Sequence, residues 1–299
     1  MIKHFIDIQD FKKINLRKIL LFARKIKSNP TKYSSLLSSK SIGMLFEKQS
    51  TRTRLSFNIG TQKIGGNIIE LDSKAIGFGT RESERDILKT LSQYIDCLII
   101  RNNDHSKIRE LASLNELSII NGLSDFSHPC QVLSDIFTIE ELLGNIEKRN
   151  ICWIGDFNNV LISLLQAAEI FNFKLNVAIP NSIMKSKQKI IHNMNLNYVN
   201  FFTNIHKAVK NVDCIMTDVW FSMGEKKNNF KKKALESFQV NKKVLDSAKK
   251  NTIFMHCLPA HRNEEVTDDV IDGKHSVVWK QVQNRMYVQQ SILNYLIVS

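Results

Sequence analysis

Nine short apolar runs alternate with segments long enough to form helices, and this alternation constrains the fold most. The runs are rich in Ile and Val and lack the polar alternation of a strand with one face in water. Such strands are typical of parallel sheets covered on both faces by helices. The runs are 42–46, 67–71, 97–101, 118–121, 151–155, 175–179, 198–202, 213–217 and 252–256. The pattern predicts an α/β protein with two doubly wound domains, each a mostly parallel sheet flanked by helices.

Helical patterns frame these strands and suggest where the chain divides. A length of 299 residues exceeds a typical single core and favours two domains. Residues 8–28 read as an amphipathic helical region, and residues 129–143 as one helix ended by Gly144. The last helical segment spans 281–297. The predicted limit between the domains is therefore at 144. The predicted face of the first helix is formed by Leu16, Ile19, Leu20 and Ala23.

The run Ser50–Arg54, of sequence STRTR, predicts a phosphate-binding site. It lies between the first apolar run and a plausible helix, and a strand-to-helix junction directs backbone N–H groups and the positive end of the helix dipole at one point. Three hydroxyls and two guanidinium groups add donors that match phosphate geometry. The alternative is a well-capped helix with exposed arginines.

The net charge of +13 raises the question of nucleic acid or membrane binding. The basic residues are scattered, and the densest cluster, Lys231–Lys233, lies among polar residues before a predicted helix. No zinc-finger, basic-zipper or aromatic RNA-binding pattern occurs. We therefore expect no nucleic acid partner, and a solvated basic surface that helps to attract phosphate substrates.

The five cysteines show no paired spacing, and three of them lie in apolar runs. Buried free thiols are expected rather than a disulfide framework, which fits a reducing cytoplasm. The N-terminus lacks the apolar stretch of a signal peptide, and no run of about twenty apolar residues predicts a membrane span. The sequence therefore predicts a cytoplasmic protein with no membrane partner.

Four further motifs occur in a fixed order around this run. They are Phe46–Gln49 (FEKQ), His128–Gln131 (HPCQ), Asp218–Gly224 (DVWFSMG) and Phe254–Pro259 (FMHCLP). With a closing Asn284-Arg285, they resemble the ornithine carbamoyltransferases over essentially the whole chain. The resemblance implies transfer of the carbamoyl group of carbamoyl phosphate to the δ-amine of L-ornithine, giving L-citrulline and phosphate, with no cofactor and no metal. It also implies that 1–144, completed by 281–299, binds carbamoyl phosphate and that 145–280 binds ornithine.

The resemblance assigns roles to residues of the first domain. The phosphate clamp is Ser50, Thr51, Arg52 and Thr53, and Arg101 bridges phosphate and the carbonyl oxygen. His128 donates to the carbonyl oxygen, Gln131 binds the carbamoyl amide, and Arg285 closes over the phosphate and carbamoyl end. The position of Arg101 also supports a role in ligand binding, because a residue at the carboxyl end of a strand lies where open α/β sheets bind ligands. By itself, a His before Pro is more often a helix cap or a core residue.

The second domain lacks the G-x-G-x-x-G pattern, so a nicotinamide cofactor is not expected. The resemblance makes Asn159, Asp218, Ser222 and Met223 ligands of the amino acid. It places Cys257 beside the attacking amine and the carbamoyl group, with the carbonyl of Leu258 on the carbamoyl nitrogen. A free thiol at a strand end is otherwise usually structural. The implied catalytic residues are Arg52, Arg101, His128, Asp218, Cys257 and Arg285.

One loop departs from the family pattern. The family implies a homotrimer in which the loop at 73–83 projects a His or Gln into a neighbour's site, but the matching residue here is Gly77. A glycine has no side chain to donate, so Lys74 or Arg81 is expected to replace it.

Three questions stay open from the sequence. The acceptor could be another amine such as putrescine, and a basic nucleic-acid-binding regulator on this fold is a less favoured alternative. The direction in the cell, towards arginine biosynthesis or citrulline breakdown, is not decided.

Overall fold

The computed structural model describes the chain except for residues 1, 48–49, 73–75, 79–81, 223–224, 227 and 299. The chain divides into two compact units. Unit 1 comprises Met1–Ser134 and Gln283–Ser299, and unit 2 comprises Asp135–Val282. Both are α/β, so the predicted fold class is confirmed.

Unit 1 is built on a four-stranded parallel sheet in the order β2-β1-β3-β4. Its strands are β1 (Ser41–Phe46), β2 (Asn67–Leu71), β3 (Cys97–Arg101) and β4 (Ser118–Leu123). Its helices are α1 (Lys13–Ser28), α2 (Thr51–Lys63), α3 (Glu84–Ser92), α4 (His105–Ser113) and the first part of α5 (Pro129–Leu143). Strand order reverses beside β1, since β2 lies on one side of it and β3 and β4 on the other. Such a reversal creates a crevice at the carboxyl ends of the strands.

The hydrophobic core of unit 1 lies between this sheet and its helices. Every residue of β3 is buried, and the predicted apolar face of α1 is buried as well. β2, however, is mostly exposed. The expectation that every strand is covered on both faces is therefore wrong for β2.

The C-terminal helix α13 (Val278–Ile297) contributes its second part to unit 1, where it packs against α2. Gly60 favours the close approach, because a Cβ added there would lie 3.0 Å from Met286 Cγ and would require that side chain to shift. Gln290 also donates a hydrogen bond to the carbonyl of Gly60 at 2.8 Å. This packing positions Arg285 beside the start of α2.

Unit 2 is built on a five-stranded parallel sheet in the order β7-β6-β5-β8-β9. Its strands are β5 (Asn150–Ile154), β6 (Lys174–Ala178), β7 (Val199–Phe202), β8 (Cys214–Thr217) and β9 (Ile253–His256). Its helices include α6 (Asn159–Phe171), α7 (Asn181–Ser186), α8 (Gln188–His192), α9 (Ile205–Ala208), α10 (Asn229–Leu235), α11 (Lys242–Asp246) and α12 (Asp268–Ile271). Strand order reverses between β5 and β8, which creates a second crevice of the same kind.

Two details of unit 2 differ from the sequence-based expectations. The edge strand β7 is only half-buried and so departs from full burial as β2 does. The basic cluster Lys231–Lys233 lies inside α10 rather than before a helix. Short 3₁₀ helices at Ile8–Asp10, Pro30–Tyr33, Ile146–Lys148 and Glu236–Phe238 complete the described secondary structure.

The chain passes between the units within α5 and α13. Four cysteines are buried thiols and Cys257 is a partly buried thiol; none of the five forms a disulfide, as the spacing predicted. Over the described ranges, none of the helices combines the length and the apolar character that a membrane crossing requires.

Candidate functional site

The first cluster of predicted site residues lies at the crevice of unit 1. Ser50 is the N-cap of α2 and is buried, and Thr53 is buried in the first turn of that helix. Arg101 ends the neighbouring strand β3. Arg52 is half-buried and Thr51 is exposed. The strand-to-helix junction that the sequence predicted is therefore present.

Two guanidinium groups converge on the hydroxyls of this junction. Arg101 Nη1 donates to Ser50 Oγ at 2.8 Å and to Thr53 Oγ1 at 3.4 Å, and Arg285 Nη2 also donates to Thr53 Oγ1. Burial, with the positive charges of Arg285 and Arg52, lowers the pKa of Arg101 to about 10. A buried cation whose pKa is lowered by neighbouring positive charges is suited to an anion that offsets those charges.

His128 precedes α5, and Gln131 follows one turn later; both side chains are buried. Burial, and then the charges of Arg285 and Arg101, lower the pKa of His128 well below its ordinary value. The imidazole is therefore neutral near pH 7 and presents one N–H donor. Burial raises the pKa of the Cys130 thiol to about 12, so that this group stays protonated, as expected for inert packing. We call Ser50, Arg52, Thr53, Arg101, His128, Gln131 and Arg285 the anion cluster.

The second cluster lies at the crevice of unit 2 and centres on Asp218, which is buried just beyond β8. Asn158 is the N-cap of α6, and its Oδ1 accepts hydrogen bonds from the N–H groups of Val160 and Leu161, each at 3.1 Å. Its Nδ2 donates to Asp218 Oδ2 at 2.7 Å. The cap of α6 therefore fixes the orientation of the carboxylate.

Cys257 follows β9 and donates its S–H to Asp218 Oδ1 at 3.0 Å. Both oxygens of Asp218 thus accept a hydrogen bond, one from an amide and one from a thiol. The carboxylate keeps further lone pairs, which suit an ammonium or amine donor. We call Asn158, Asp218 and Cys257 the carboxylate cluster.

The backbone beside this thiol is held in an unusual conformation. Leu258 has φ +58°, which costs a non-glycine residue energy and persists only when its surroundings impose it. Its N–H donates to His256 Nδ1 at 2.9 Å, so the ring proton lies on Nε2, which donates to Glu265 Oε1 at 3.2 Å. The buried His256–Glu265 pair therefore holds the N–H of Leu258 in place.

The other predicted site residues belong to neither of these two clusters. Asn159 is the half-buried first residue of α6, and Ser222 is half-buried beyond β8. Met223, Lys74 and Arg81 lie outside the described residues. Gly77 is half-buried with φ +60°, a conformation that favours glycine.

Two groups of side chains have the chemistry of metal ligands among the described residues. One is Asp218, His256 and Cys257, and the other is His261, Glu264 and Glu265; within each, the ligand atoms lie within 4.8 Å of one another. In the first group, both ring nitrogens of His256 and the thiol of Cys257 are engaged in hydrogen bonds. The expectation of no metal stays a prediction.

Comparison with known proteins assigns both parts of the chain to one family. Residues 3–141 match the family model described as the carbamoyl-P binding domain of aspartate/ornithine carbamoyltransferase. Residues 147–296 match the Asp/Orn binding domain of the same family. The chain belongs to the aspartate/ornithine carbamoyltransferase family.

Relatives within this family match along the whole chain. The ornithine carbamoyltransferase of Ruthia magnifica is 41% identical over 300 residues, which cover 99% of this chain and 100% of that relative. The structure of the ornithine carbamoyltransferase of Burkholderia thailandensis is 34% identical, with a TM-score of 0.90 and coverage of 99% of both chains. That of Pyrococcus furiosus is 38% identical, with a TM-score of 0.88 and coverage of 99% of this chain and 97% of that one.

Sequence reasoning missed two features of this carbamoyltransferase site. The first is Asn158, the neighbour of the predicted Asn159, and its signal was an Asn directly before a helix. The second is the His256–Glu265 pair. Nothing in the local sequence links Glu265 to His256, because the pair forms only when the following loop folds back.

Proposed function

We propose that the protein transfers the carbamoyl group of carbamoyl phosphate to the δ-amine of L-ornithine, giving L-citrulline and phosphate. The observation that carries the proposal is the anion cluster, in which buried Arg101 and Arg285 converge on Thr53 at the start of α2. Membership of the carbamoyltransferase family and ornithine-specific names among relatives support the same reaction.

Unit 1 would bind carbamoyl phosphate. Its dianionic phosphate would take the N–H groups at the start of α2, the hydroxyls of Ser50, Thr51 and Thr53, and the guanidinium groups of Arg52 and Arg101. Neutral His128 would donate to the carbonyl oxygen, where negative charge grows during attack. Gln131 would bind the carbamoyl amide and Arg285 the phosphate and carbamoyl end.

Unit 2 would bind ornithine through Asn159, Asp218, Ser222 and Met223. The free δ-amine has a lysine-like pKa near ~10.4, so the site must bind the small neutral fraction or remove a proton. Asp218 and Cys257 are the groups that would orient the amine, and the carbonyl of Leu258 would hold the carbamoyl nitrogen. In the transfer the amine nitrogen bonds to the carbamoyl carbon, the carbon–oxygen bond to phosphate breaks, and a proton passes from nitrogen to the departing phosphate. No covalent thiol intermediate and no cofactor is required.

Purified protein should be assayed for ureido product from carbamoyl phosphate with ornithine, putrescine or aspartate as the acceptor. Ornithine should exceed both others in kcat/KM by several orders of magnitude, because putrescine lacks the α-amino and α-carboxylate groups that the site would hydrogen-bond and aspartate lacks the δ-amine. A higher kcat/KM with putrescine than with ornithine would show that putrescine is the acceptor. Absence of product with all three would refute carbamoyl transfer.

The nucleic-acid alternative has its own test. Steeply salt-dependent binding to DNA or RNA would favour it, since neutralised phosphates release counterions. We expect no such binding, because Arg101 and Arg285 of the anion cluster are buried and would serve a small anion.

We also propose that the protein is a cytoplasmic homotrimer acting in arginine biosynthesis. Free cysteines are compatible with a reducing compartment. Leu55 and Ile59 are exposed one turn apart on α2, and Ile69 is exposed on the edge strand β2. These three side chains offer an apolar surface for a second copy.

The direction of the reaction in the cell has a separate test. Weak cooperativity for carbamoyl phosphate would support the biosynthetic direction, and strong cooperativity would favour citrulline breakdown.

A further inference from the structure

Lys231 connects three segments of unit 2 and has no role in the reaction as described above. From α10, its Nζ donates to Asp156 Oδ2 and to Glu225 Oε1, each at 2.8 Å. The same ammonium lies 5.3 Å from the centre of the Phe221 ring. The Lys231 side chain is only 17% exposed, so these contacts are largely shielded from water.

Asp156 is the buried end of this connection. It follows β5 and precedes Asn158, which donates to Asp218. Burial raises the pKa of Asp156, and the charge of Glu225 adds to this, while Lys231 acts in the opposite direction. Without the ammonium, a buried carboxylate would face a second carboxylate with nothing between them to offset their charge.

Glu225 is the loop end of the connection. Its Oε2 accepts a hydrogen bond from the N–H of Ser222 at 3.1 Å, and its own N–H donates to the carbonyl of Ser222 at 2.9 Å. The Glu225 side chain is 37% exposed, and without Lys231 its carboxylate would lose a charged partner that competes with water. Lys231 thereby fixes the backbone of Ser222, a predicted ligand of the amino acid.

We propose that Lys231 is a positioning residue for the amino-acid substrate. It holds Ser222 in a fixed position relative to Asp156–Asn158, and therefore relative to the carboxylate cluster. The inference rests on the proposed function, because it assumes that these two loops bind ornithine. The partners of Lys231 named above, Asp156, Glu225 and Phe221, all belong to unit 2, so we expect its effect to fall on ornithine rather than on carbamoyl phosphate.

Steady-state kinetics of Lys231→Met should separate the two substrates. We expect the KM for ornithine to rise roughly tenfold, as for loss of a shielded charge pair, with the KM for carbamoyl phosphate within about twofold of wild type. Lys231→Arg should recover most of the ornithine affinity, because it restores the charge. Lys232→Met is the matched control: its neighbouring ammonium is 45% exposed and pairs with Glu264 at 3.1 Å, away from the loop.

If Lys231→Met fails to fold, Glu225→Gln tests the same connection, since it keeps an acceptor for Ser222 but loses the charge. A rise in the ornithine KM alone supports the proposal. An unchanged ornithine KM, or equal rises for both substrates, overturns it and leaves the proposed function standing. A wild-type protein that makes no citrulline overturns both.

Discussion

The thiol of Cys257 donates a hydrogen bond to Asp218 Oδ1 at 3.0 Å, across the ends of two adjacent strands of one sheet. The other oxygen of the carboxylate is held by Asn158 at 2.7 Å. Cys257 and Asp218 are the two groups proposed to orient the amine, and this hydrogen bond brings them into direct contact. The pair therefore connects the architecture of unit 2 to its chemistry.

Cys257→Ala should fold normally but weaken the handling of ornithine more than the binding of carbamoyl phosphate. The variant removes one of two hydrogen bonds that orient Asp218, worth about 1–3 kcal/mol for a charged acceptor, or about tenfold or more in kcat/KM for ornithine. Cys257→Ser, which keeps a donor, should lose less. Equal loss of affinity for both substrates would contradict this placement.

Arg52→Ala and Arg101→Met should each lose activity by on the order of 10²-fold or more, because each removes a charge-assisted contact to the leaving phosphate. Inorganic phosphate should also raise the melting temperature of the wild type more than that of either variant. Arg54→Met is the matched control from the same run, since Arg54 bonds to Glu70 and lies 5.6 Å from the Phe46 ring centre. Near-normal turnover of Arg52→Ala would refute the phosphate assignment.

The rate should rise with pH from about 6 to 9 as the δ-amine of ornithine loses its proton. His128 should add no inflection near the ordinary histidine value of about 6.5, because its lowered pKa keeps the ring neutral through this range. Profiles of kcat/KM for wild type and His128→Asn should have the same shape at different heights. A flat wild-type profile up to pH 9 would contradict attack by a neutral amine.

The sequence predicted the strands closely because each is a short apolar run bounded by polar residues, and all nine occur within two residues of their predicted ends. It also placed Arg101 at the end of β3. It missed what depends on packing between distant segments. The exposure of β2 was missed, because an apolar run does not encode how the faces of its strand are covered. The role of Lys231 depends on Asp156, which lies far away in the chain and is brought near only by the fold.

Asp7→Asn should destabilise the protein by about 2–3 kcal/mol near neutral pH, since it removes a buried charge that pairs with half-exposed Arg109. Burial raises the pKa of Asp7, but hydrogen bonds from His105 and Ser127 and nearby positive charges outweigh it, so the pKa is lowered overall. The stabilisation is therefore present above the unfolded value near 3.8 and is lost as the pH falls through the folded value.

Urea unfolding of this variant and wild type at pH 7 and at acidic pH checks the sign, because their difference should shrink on acidification. Asp10→Asn is the control, since Asp10 also pairs with Arg109 but is 34% exposed and should cost under about 1 kcal/mol. A difference between Asp7→Asn and wild type that grew towards low pH would contradict the assignment.

The last prediction concerns assembly. Leu55→Glu/Ile59→Glu should convert a trimer into monomers, because burying two carboxylates in an interface between copies costs more than the lost apolar contacts alone. Ile14→Glu is the control, since Ile14 is 60% exposed on α1 and Leu55 is similarly exposed at 55%. Light scattering of both variants should then show monomers for the first and trimers for the second. Activity should fall with dissociation if a neighbour completes each site, as the loop at 73–83 suggests. An α2 variant that stays trimeric while Ile14→Glu dissociates would place the interface on α1, and a monomeric, fully active wild type would refute the assembly proposal.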